Sequence, residues 1–174
     1  MSYRKRSNQT SRLLVALGAG LMLVDGAFAL PGDSEQPIHI TADRAQISER
    51  DGIATYTGNV QLDQGSLHVN ADQLTIYTKD GEVIYITAEG TLAHFQQLPE
   101  IDAAVVEANA RTITYYTDVQ KVVLEGEAEL KQAEDSFRGE YIEYNIVDKV
   151  VNARGGETSS RVEMVVYPRG RDND

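Results

Sequence analysis

Residues 56–72, YTGNVQLDQGSLHVNAD, determine the fold class. Apolar and polar side chains alternate before Gly65 and again after it. A period of two places the apolar side chains on one face of a strand, and Gly supplies the left-handed position of a three-residue hairpin loop. The stretch therefore predicts two antiparallel strands that share an apolar face. That face comprises Val60, Leu62, Leu67 and Val69.

The same alternation recurs along most of the chain beyond residue 36 and predicts an all-β protein. Asp51-Gly52 and Asp80-Gly81 are pairs that accept positive φ in tight hairpins. Residues 101–110 have the composition of a helix. Because the strand formers of residues 112–116 follow directly, we expect a strand there instead.

A weak internal repeat indicates how the strands are arranged. Ala42-Asp43 recurs as Ala71-Asp72, and four glycines recur at intervals close to the spacing of these two pairs. A period of about 30 residues is typical of one supersecondary unit stacked several times. We expect two strands per unit across a folded-over antiparallel sheet, with the glycines at the bends. These glycines are Gly58, Gly90, Gly126 and Gly155.

Residues 1–29 have the pattern of a cleavable signal peptide. Four basic residues precede or adjoin an apolar run over 13–24, and Ala27-Phe28-Ala29 is a cleavage site of the A-x-A type. A membrane span needs about 20 apolar residues, so a retained anchor is the weaker alternative. We expect a single exported domain from residue 30 to 167 and a disordered tail from 168 to 174. The basic residues are Arg4, Lys5, Arg6 and Arg12.

Charge and cysteine content exclude several classes of function. Without residues 1–29 the chain keeps 12 basic and 26 acidic residues, a net charge of −14. Such a surface disfavours nucleic acid and anionic membrane faces. The sequence has no cysteine, which excludes disulfides, thiolate metal sites and a cysteine nucleophile.

Two sets of polar residues could carry chemistry, but neither has the required pattern. The three histidines lack the spacing of a metal site. Three glutamates at a period of two share the outer face of one strand, whereas glycosidase chemistry needs carboxylates about 5–9.5 Å apart across a cleft. We therefore expect no metal ion, no cofactor and no catalytic residue. The sets are His39, His68 and His94, and Glu125, Glu127 and Glu129.

Several segments together resemble one known family. Residues 36–43 (QPIHITAD) are similar to the opening strand of the LptA (OstA-like) lipopolysaccharide-transport proteins, and residues 56–76 are similar to that family's most recognisable stretch. Residues 122–128 and 142–144 resemble its second half. The resemblance covers about residues 36 to 155, and it depends on the order and spacing of the segments.

The resemblance implies a β-jelly-roll open along one edge, the β-taco, in the periplasm. It also implies a bridge along which lipopolysaccharide moves, with its acyl chains in an apolar groove. The implied partners are lipopolysaccharide, a membrane-anchored Lpt component of the inner membrane and the Lpt translocon of the outer membrane. Each acyl methylene exposed to water costs about 0.8 kcal/mol, so such chains need shielding.

Within this fold the alternation predicts both a groove and two association edges. Residues 38–43 and 161–167 would be the first and last strands, and unpaired edges of this kind join other chains. Pairing of one copy's last strand with the next copy's first gives a head-to-tail homo-oligomer. The groove set is Ile38, Ile40, Val60, Leu62, Leu67, Val69, Ile76, Ile86, Phe95, Leu124 and Ile142. The edge set is Ile38, Ile40, Val162, Met164 and Val166.

Four alternatives remain at this stage. The first is the membrane-anchored relative of the same fold or the periplasmic domain of the translocon, and the cleavable signal and short C-terminus argue against both. The second is a periplasmic polysaccharide-modifying enzyme on a β-solenoid, which would need acidic residues inside a groove. The third is an ordinary sandwich core with no groove. The fourth is a monomer whose edges are solvated.

Overall fold

A computed structural model describes residues 33–100, 103–156 and 161–168. The predicted signal peptide and cleavage site, and the tail after residue 168, lie outside these residues. A short 3-10 turn, Asp33–Glu35, precedes ten antiparallel strands in one sheet, which confirms the all-β prediction. The strands are β1 His39–Thr41, β2 Arg44–Ser48, β3 Ile53–Gln64, β4 Leu67–Lys79, β5 Glu82–Gln97, β6 Val106–Tyr116, β7 Lys121–Gln132, β8 Asp135–Asn145, β9 Val150–Arg154 and β10 Glu163–Val165.

The sheet is a meander with a divided strand at each edge. Strands β3 to β8 pair in chain order, β1 and β2 both pair with β3, and β9 and β10 both pair with β8. Each edge therefore consists of two short strands separated by a break. The prediction of single edge strands was wrong on both sides. The break at Ala42-Asp43 divides the first, and the last β-strand spans only 163–165, so Ile38, Val162 and Val166 lie outside strands.

A line of bulges crosses the middle of the sheet and folds it into two layers. All five pairings from β3–β4 to β7–β8 shift register at this level, between Thr57 and Val60 in β3 and between Glu125 and Ala128 in β7. Extra residues in a strand bend it and increase its twist. We call this level the bend line. Layer 1 contains β1, β10 and the strand segments 60–64, 67–71, 93–97, 106–110, 128–132 and 135–139. Layer 2 contains β2, β9 and the segments 53–57, 73–79, 82–89, 112–116, 121–125 and 141–145.

The bulges in β3 and β7 have the same backbone conformation. Gly58 and Asn59 have φ of 87° and 46°, and Gly126 and Glu127 have φ of 79° and 52°. Left-handed φ is unfavourable for most side chains, and Gly and Asn tolerate it best. Glu127 adopts it while forming an ion pair with Arg111 on the neighbouring strand.

A charged residue packs against the glycine at each bend, which explains the repeat in the sequence. Asp43 accepts a hydrogen bond from the Asn59 side chain (3.2 Å), and Asp72 accepts one from the Thr91 N–H (3.0 Å), beside Gly90. The prediction for Gly155 was wrong, because it lies after β9. The equivalent glycine is Gly139, where a β-carbon would lie 2.8 Å from the carbonyl oxygen of Arg154. The four pairs are Ala42-Asp43, Ala71-Asp72, Ala110-Arg111 and Ala153-Arg154.

The two layers enclose one apolar core. Buried aliphatic and aromatic side chains from both layers form a single cluster, and the Phe95 ring of layer 1 lies 5.4 Å from the Tyr115 ring of layer 2. The described chain has no free or bridged cysteine, so burial and backbone pairing hold the layers together. Residues 106–110, the second half of the segment with helical composition, form the start of β6, as the strand prediction required. Residues 103–105 are not in a strand, and residues 101–102 lie outside the described chain.

The bend line predicts an unequal effect of alanine at two glycines with nearly identical φ. An alanine in place of Gly58 (φ +87°) would have its β-carbon 2.9 Å from the β-carbon of Asp43. An alanine in place of Gly81 (φ +86°) would have no atom within 4 Å of its β-carbon. We expect Gly81→Ala to cost about 1 kcal/mol from backbone strain. Gly58→Ala should cost about 1–3 kcal/mol more from overpacking. Urea unfolding measures both, and equal losses would show that the contact with Asp43 does not matter.

Candidate functional site

The inner surface of layer 1 is an apolar row that crosses the whole sheet. Register pairing connects eight inward positions, one from each strand of this layer, from the first edge to the last. Such cross-strand neighbours lie about 4.5–5.5 Å apart. The row is therefore continuous. It runs Ile40, Leu62, Val69, Phe95, Ala108, Leu130, Phe137, Met164.

Layer 2 presents two further rows to the same interior. Both cross from β2 to β9, and their central members are buried. The first row is Ala45, Tyr56, Leu74, Ala88, Ile113, Leu124, Ile142, Ala153. The second is Ile47, Ala54, Ile76, Ile86, Tyr115, Val122, Tyr144, Val151. We call the interior bounded by these three rows the trough.

All eleven residues predicted to line a groove face this interior. Nine are buried, and Ile38 and Ile40 are partly buried against the same cluster. The predicted groove set omitted several inward alanines and the tyrosines Tyr115 and Tyr144. Small and amphipathic side chains carry little signal by alternation alone, but the period of two that continues from Ile113 and from Ile142 assigns both tyrosines to this face. Contact of the eleven residues with lipid stays a prediction.

Hydrogen bonds join the layers at their rims, the strand ends remote from the bend line. The Tyr144 hydroxyl of layer 2 donates to Gln132 Oε1 of layer 1 at 3.1 Å. Burial raises the pKa of Tyr144. Burial likewise raises the pKa of Tyr115, on the same row, and a contact with the Gln97 side chain partly opposes it. Both phenols are therefore neutral hydrogen-bonding groups at physiological pH.

The segment before β1 covers part of the layer 1 rim. Asp33 accepts hydrogen bonds from the backbone N–H of Ser66 (2.7 Å), the Ser66 hydroxyl (2.6 Å) and the Gln97 amide (3.0 Å). Gln64 donates to the backbone oxygen of Gln36 at 3.0 Å. These contacts attach the N-terminal turn to the β3–β4 hairpin and to the end of β5.

The apolar surface of the interior reaches solvent at both edges. Met164, at the last position of the layer 1 row, is 62% exposed, and Ile47, at the first position of a layer 2 row, is 63% exposed. Val162 and Val166 flank Met164 and are also exposed. A large apolar side chain on an inward face is buried when a further strand covers it. Both edges therefore present apolar surface that no described strand covers.

The polar residues considered for chemistry lie on the outer face. His68 Nδ1 lies 2.5 Å from Asp63 Oδ1, His94 Nδ1 lies 2.9 Å from Asn109 Oδ1, and His39 is exposed. Within residues 33–100, 103–156 and 161–168, no group of three or more His, Asp or Glu could hold a metal ion.

The three glutamates of β7 lie along one strand and do not form a facing pair, and two of them, Glu127 and Glu129, form ion pairs. Glu125 and Glu127 are exposed or partly exposed. Burial raises the pKa of Glu129, but hydrogen bonds from Arg138 and Lys131 outweigh it, so the pKa of Glu129 lies below its ordinary value. Arg138 Nη2 is 2.7 Å from Glu129 Oε1. Such outer pairs contribute about 0–1 kcal/mol each.

No helix in the described parts of the chain has the length and apolar content to cross a membrane.

Comparison with known proteins agrees with this architecture. Residues 39–150 match the family model described as LptA/(LptD N-terminal domain) LPS transport protein. The lipopolysaccharide export system protein LptH of Pseudomonas aeruginosa is 35% identical over 90% of this chain and 91% of its own. The lipopolysaccharide export system protein LptA of Escherichia coli K12 is 32% identical over 94% of this chain and 88% of its own.

A solved structure shares the fold. The crystal structure of LptH, described as the LptA-homologous periplasmic component of the lipopolysaccharide transport device of Pseudomonas aeruginosa, aligns with a TM-score of 0.71 and 34% identity. The alignment covers 79% of this chain and 100% of that chain. The folded-over β-sheet with apolar rows thus defines an Lpt-type transport domain, and the chain belongs to the LptA/LptD N-terminal domain family.

The rim hydrogen bond predicts a specific effect of removing one hydroxyl. Tyr144→Phe deletes the donor to Gln132, and we expect a loss of about 1 kcal/mol in unfolding free energy. Amide exchange near Gln132 should become faster. Tyr141→Phe is the matched control, because the Tyr141 hydroxyl donates to Glu143 (3.2 Å) rather than across the layers. It should change stability by less than about 0.5 kcal/mol. Faster exchange in the Tyr141 variant alone would contradict the assignment.

Proposed function

We propose that this protein carries lipopolysaccharide through the periplasm, with the acyl chains against the trough and the sugars outside. The observation that carries the proposal is the set of apolar rows that run from one edge of the sheet to the other. Each row has one exposed inward end, at Met164, Ala45 or Ile47. A closed core would end at covered residues. These rows instead end at surfaces where another protein of like fold can continue them.

The physical requirement for such a carrier is shielding. Each methylene left in water costs about 0.8 kcal/mol, so a ligand with several long chains does not cross an aqueous gap unprotected. An apolar trough provides this protection without any chemical step. Because the chain outside residues 1–29 has a net charge of −14, attraction to anionic head groups is not the source of affinity.

The trough accepts chains by separation of its layers. Its central side chains are in mutual contact, and the rims are joined by the Tyr144–Gln132 hydrogen bond. A single neutral hydrogen bond contributes about 0.5–1.5 kcal/mol, far less than the burial of one long acyl chain. Opening at the rims also exposes core side chains, so it is favourable when the entering acyl chain covers them in the same step, while the bend line keeps the layers connected.

The edges support assembly with partners of like fold. Pairing of β10 with the β1 of a next copy would place Met164 beside Ile40 and extend the layer 1 row. The same geometry serves the membrane-anchored Lpt component at the inner membrane and the Lpt translocon at the outer membrane. Contacts between different edges are heterologous and produce open stacks, so the homo-oligomer is head-to-tail.

The protein acts as a carrier and not as an enzyme. Transport in this mechanism needs no bond to be made or broken by the chain itself. The glutamates of β7 face outward, and Glu129 is engaged by Arg138 and Lys131. The relatives are named for lipopolysaccharide export. The energy for directional movement comes from elsewhere in the transport complex.

Photo-crosslinking with adjacent residues as matched pairs tests the trough. Leu62 and Leu124 are fully buried and inward, while their neighbours Gln61 and Glu125 are exposed and outward. A photoreactive amino acid at Leu62 or Leu124 should capture lipopolysaccharide during transport. The same residue at Gln61 or Glu125 should not. Equal capture by both members of each pair would mean that the acyl chains do not enter the trough.

Assembly is tested by placing a charge on either face of β10. Met164 ends the layer 1 row, and its neighbour Val165, 50% exposed, occupies the other face. Because Met164 is exposed in the single chain, Met164→Asp should leave stability nearly unchanged. It should weaken assembly about tenfold, or ~1.4 kcal/mol, since a charge would be buried without a partner. Val165→Asp is the control and should retain assembly. Light scattering that gives one monomer mass for the wild type over a wide concentration range would refute head-to-tail stacking.

A further inference from the structure

One buried polar side chain interrupts the apolar interior. Gln97, at the end of β5, is 7% exposed, and it is the one polar or charged residue in this burial class among the described residues. Register pairing places it opposite Val106 of β6, which is fully buried. It lies two positions from Phe95 and faces the same interior. Buried amides are normally fully hydrogen-bonded, so this position requires an explanation.

The orientation of the Gln97 amide is fixed by Asp33. The amide nitrogen donates to Asp33 Oδ2 at 3.0 Å, and that carboxylate is held in turn by the backbone N–H and hydroxyl of Ser66. An ionised carboxylate only accepts hydrogen bonds, so the nitrogen of the amide, not its oxygen, must face Asp33. The amide oxygen is therefore directed away from Asp33. That oxygen, Gln97 Oε1, is buried and has no hydrogen-bond donor.

A second glutamine in layer 1 shows what is missing at Gln97. Gln132 pairs with the other side of Val106, and its Oε1 accepts a hydrogen bond from the Tyr144 hydroxyl across the layers. Both glutamines thus lie on one row near the rim, and each faces a tyrosine of layer 2. Burial raises the pKa of Tyr115 and a hydrogen bond with the Gln97 side chain partly lowers it, as a bond donated by the amide nitrogen to the phenol oxygen would, and no donor reaches Oε1. Gln97 Oε1 is therefore an acceptor that a donor on a bound molecule could use.

We propose that Gln97 Oε1 accepts a hydrogen bond from a hydroxyl group on the bound acyl chain, so that the trough selects hydroxylated fatty acyl chains. This inference rests on the proposed function. Gln97 lies where the apolar strand segments end at the rim, so the recognised hydroxyl is near the carboxyl end of the chain and the methylenes lie deeper. Asp33 is a positioning residue, because it holds the amide with its oxygen toward the trough.

Competition binding with two matched fatty acids tests the site. The protein purified from the periplasm is loaded with a fluorescent fatty-acid probe, which is displaced by tetradecanoic acid or by 3-hydroxytetradecanoic acid. The ratio of the two affinities is compared between the wild type, Gln97→Met and the outer-face control Gln61→Met. The intrinsic difference in hydrophobicity between the two acids cancels in this comparison. One hydrogen bond to a neutral group corresponds to about a threefold to tenfold change in this ratio.

The expected result is a preference for the hydroxylated acid that falls about threefold to tenfold in Gln97→Met. The preference should be unchanged in Gln61→Met, because Gln61 is exposed on the outer face of β3. Asp33→Asn should also reduce the preference, because an asparagine can donate a hydrogen bond and so allows the Gln97 amide to rotate by 180°. This variant replaces Gln97→Met in the test if Gln97→Met does not fold. An equal ratio in the wild type and both Gln97 and Asp33 variants would overturn the inference and assign the acceptor to a bound water or to the Tyr115 hydroxyl. Binding of neither acid to the wild type would refute the acyl trough itself, and this site with it.

Discussion

The bend line is the constraint on which the rest of the structure depends. A flat antiparallel sheet with one apolar face would expose that face to water, and the described strands all belong to one sheet, so no second sheet among them covers it. The bulges at Gly58-Asn59 and Gly126-Glu127, with their left-handed φ, allow the sheet to cover itself. Because the register shifts lie at one level in five successive pairings, the strands bend together and the two halves of every central strand face each other.

The sequence predicts the inner surface well and the position of the strand breaks poorly. Alternation with a period of two assigned Leu62, Phe95 and Leu124 to the interior because a slip of one residue would reverse the face of the whole strand. The repeat indicated bends near Gly58 and Gly126. It did not indicate Gly139, since that glycine is recognised only by its close approach to Arg154 in a neighbouring strand, which is a contact made in three dimensions.

The edges and the polar site depended on information that a local pattern does not contain. β2 was missed because its alternation is short: Ala45 and Ile47 are its two apolar residues, and the pairing with β3 is what shows that they form a strand. The isolated acceptor at Gln97 depends on Asp33, 64 residues earlier. Exposed Met164 and Ile47 are likewise visible only when both the face and the missing neighbour strand are known. In each case the deciding partner is remote in sequence.

The charged residues that pack at the bends differ in sign between the first and the last edge of the sheet. The four alanine-charge pairs carry Asp43 and Asp72 toward the first edge, and Arg111 and Arg154 toward the last. Among these four residues the sign of the charge therefore changes from the first edge to the last, while the charge of Arg111 is balanced by Glu127 at the same bend. Screening limits such effects to about 8–10 Å, so only the terminal members act between copies. In a head-to-tail stack the basic end of one copy meets the acidic end of the next, whereas head-to-head contact sets like charges against each other. If copies stack as proposed, the opposite charges of Asp43 and Arg154 favour an arrangement in which every trough points the same way.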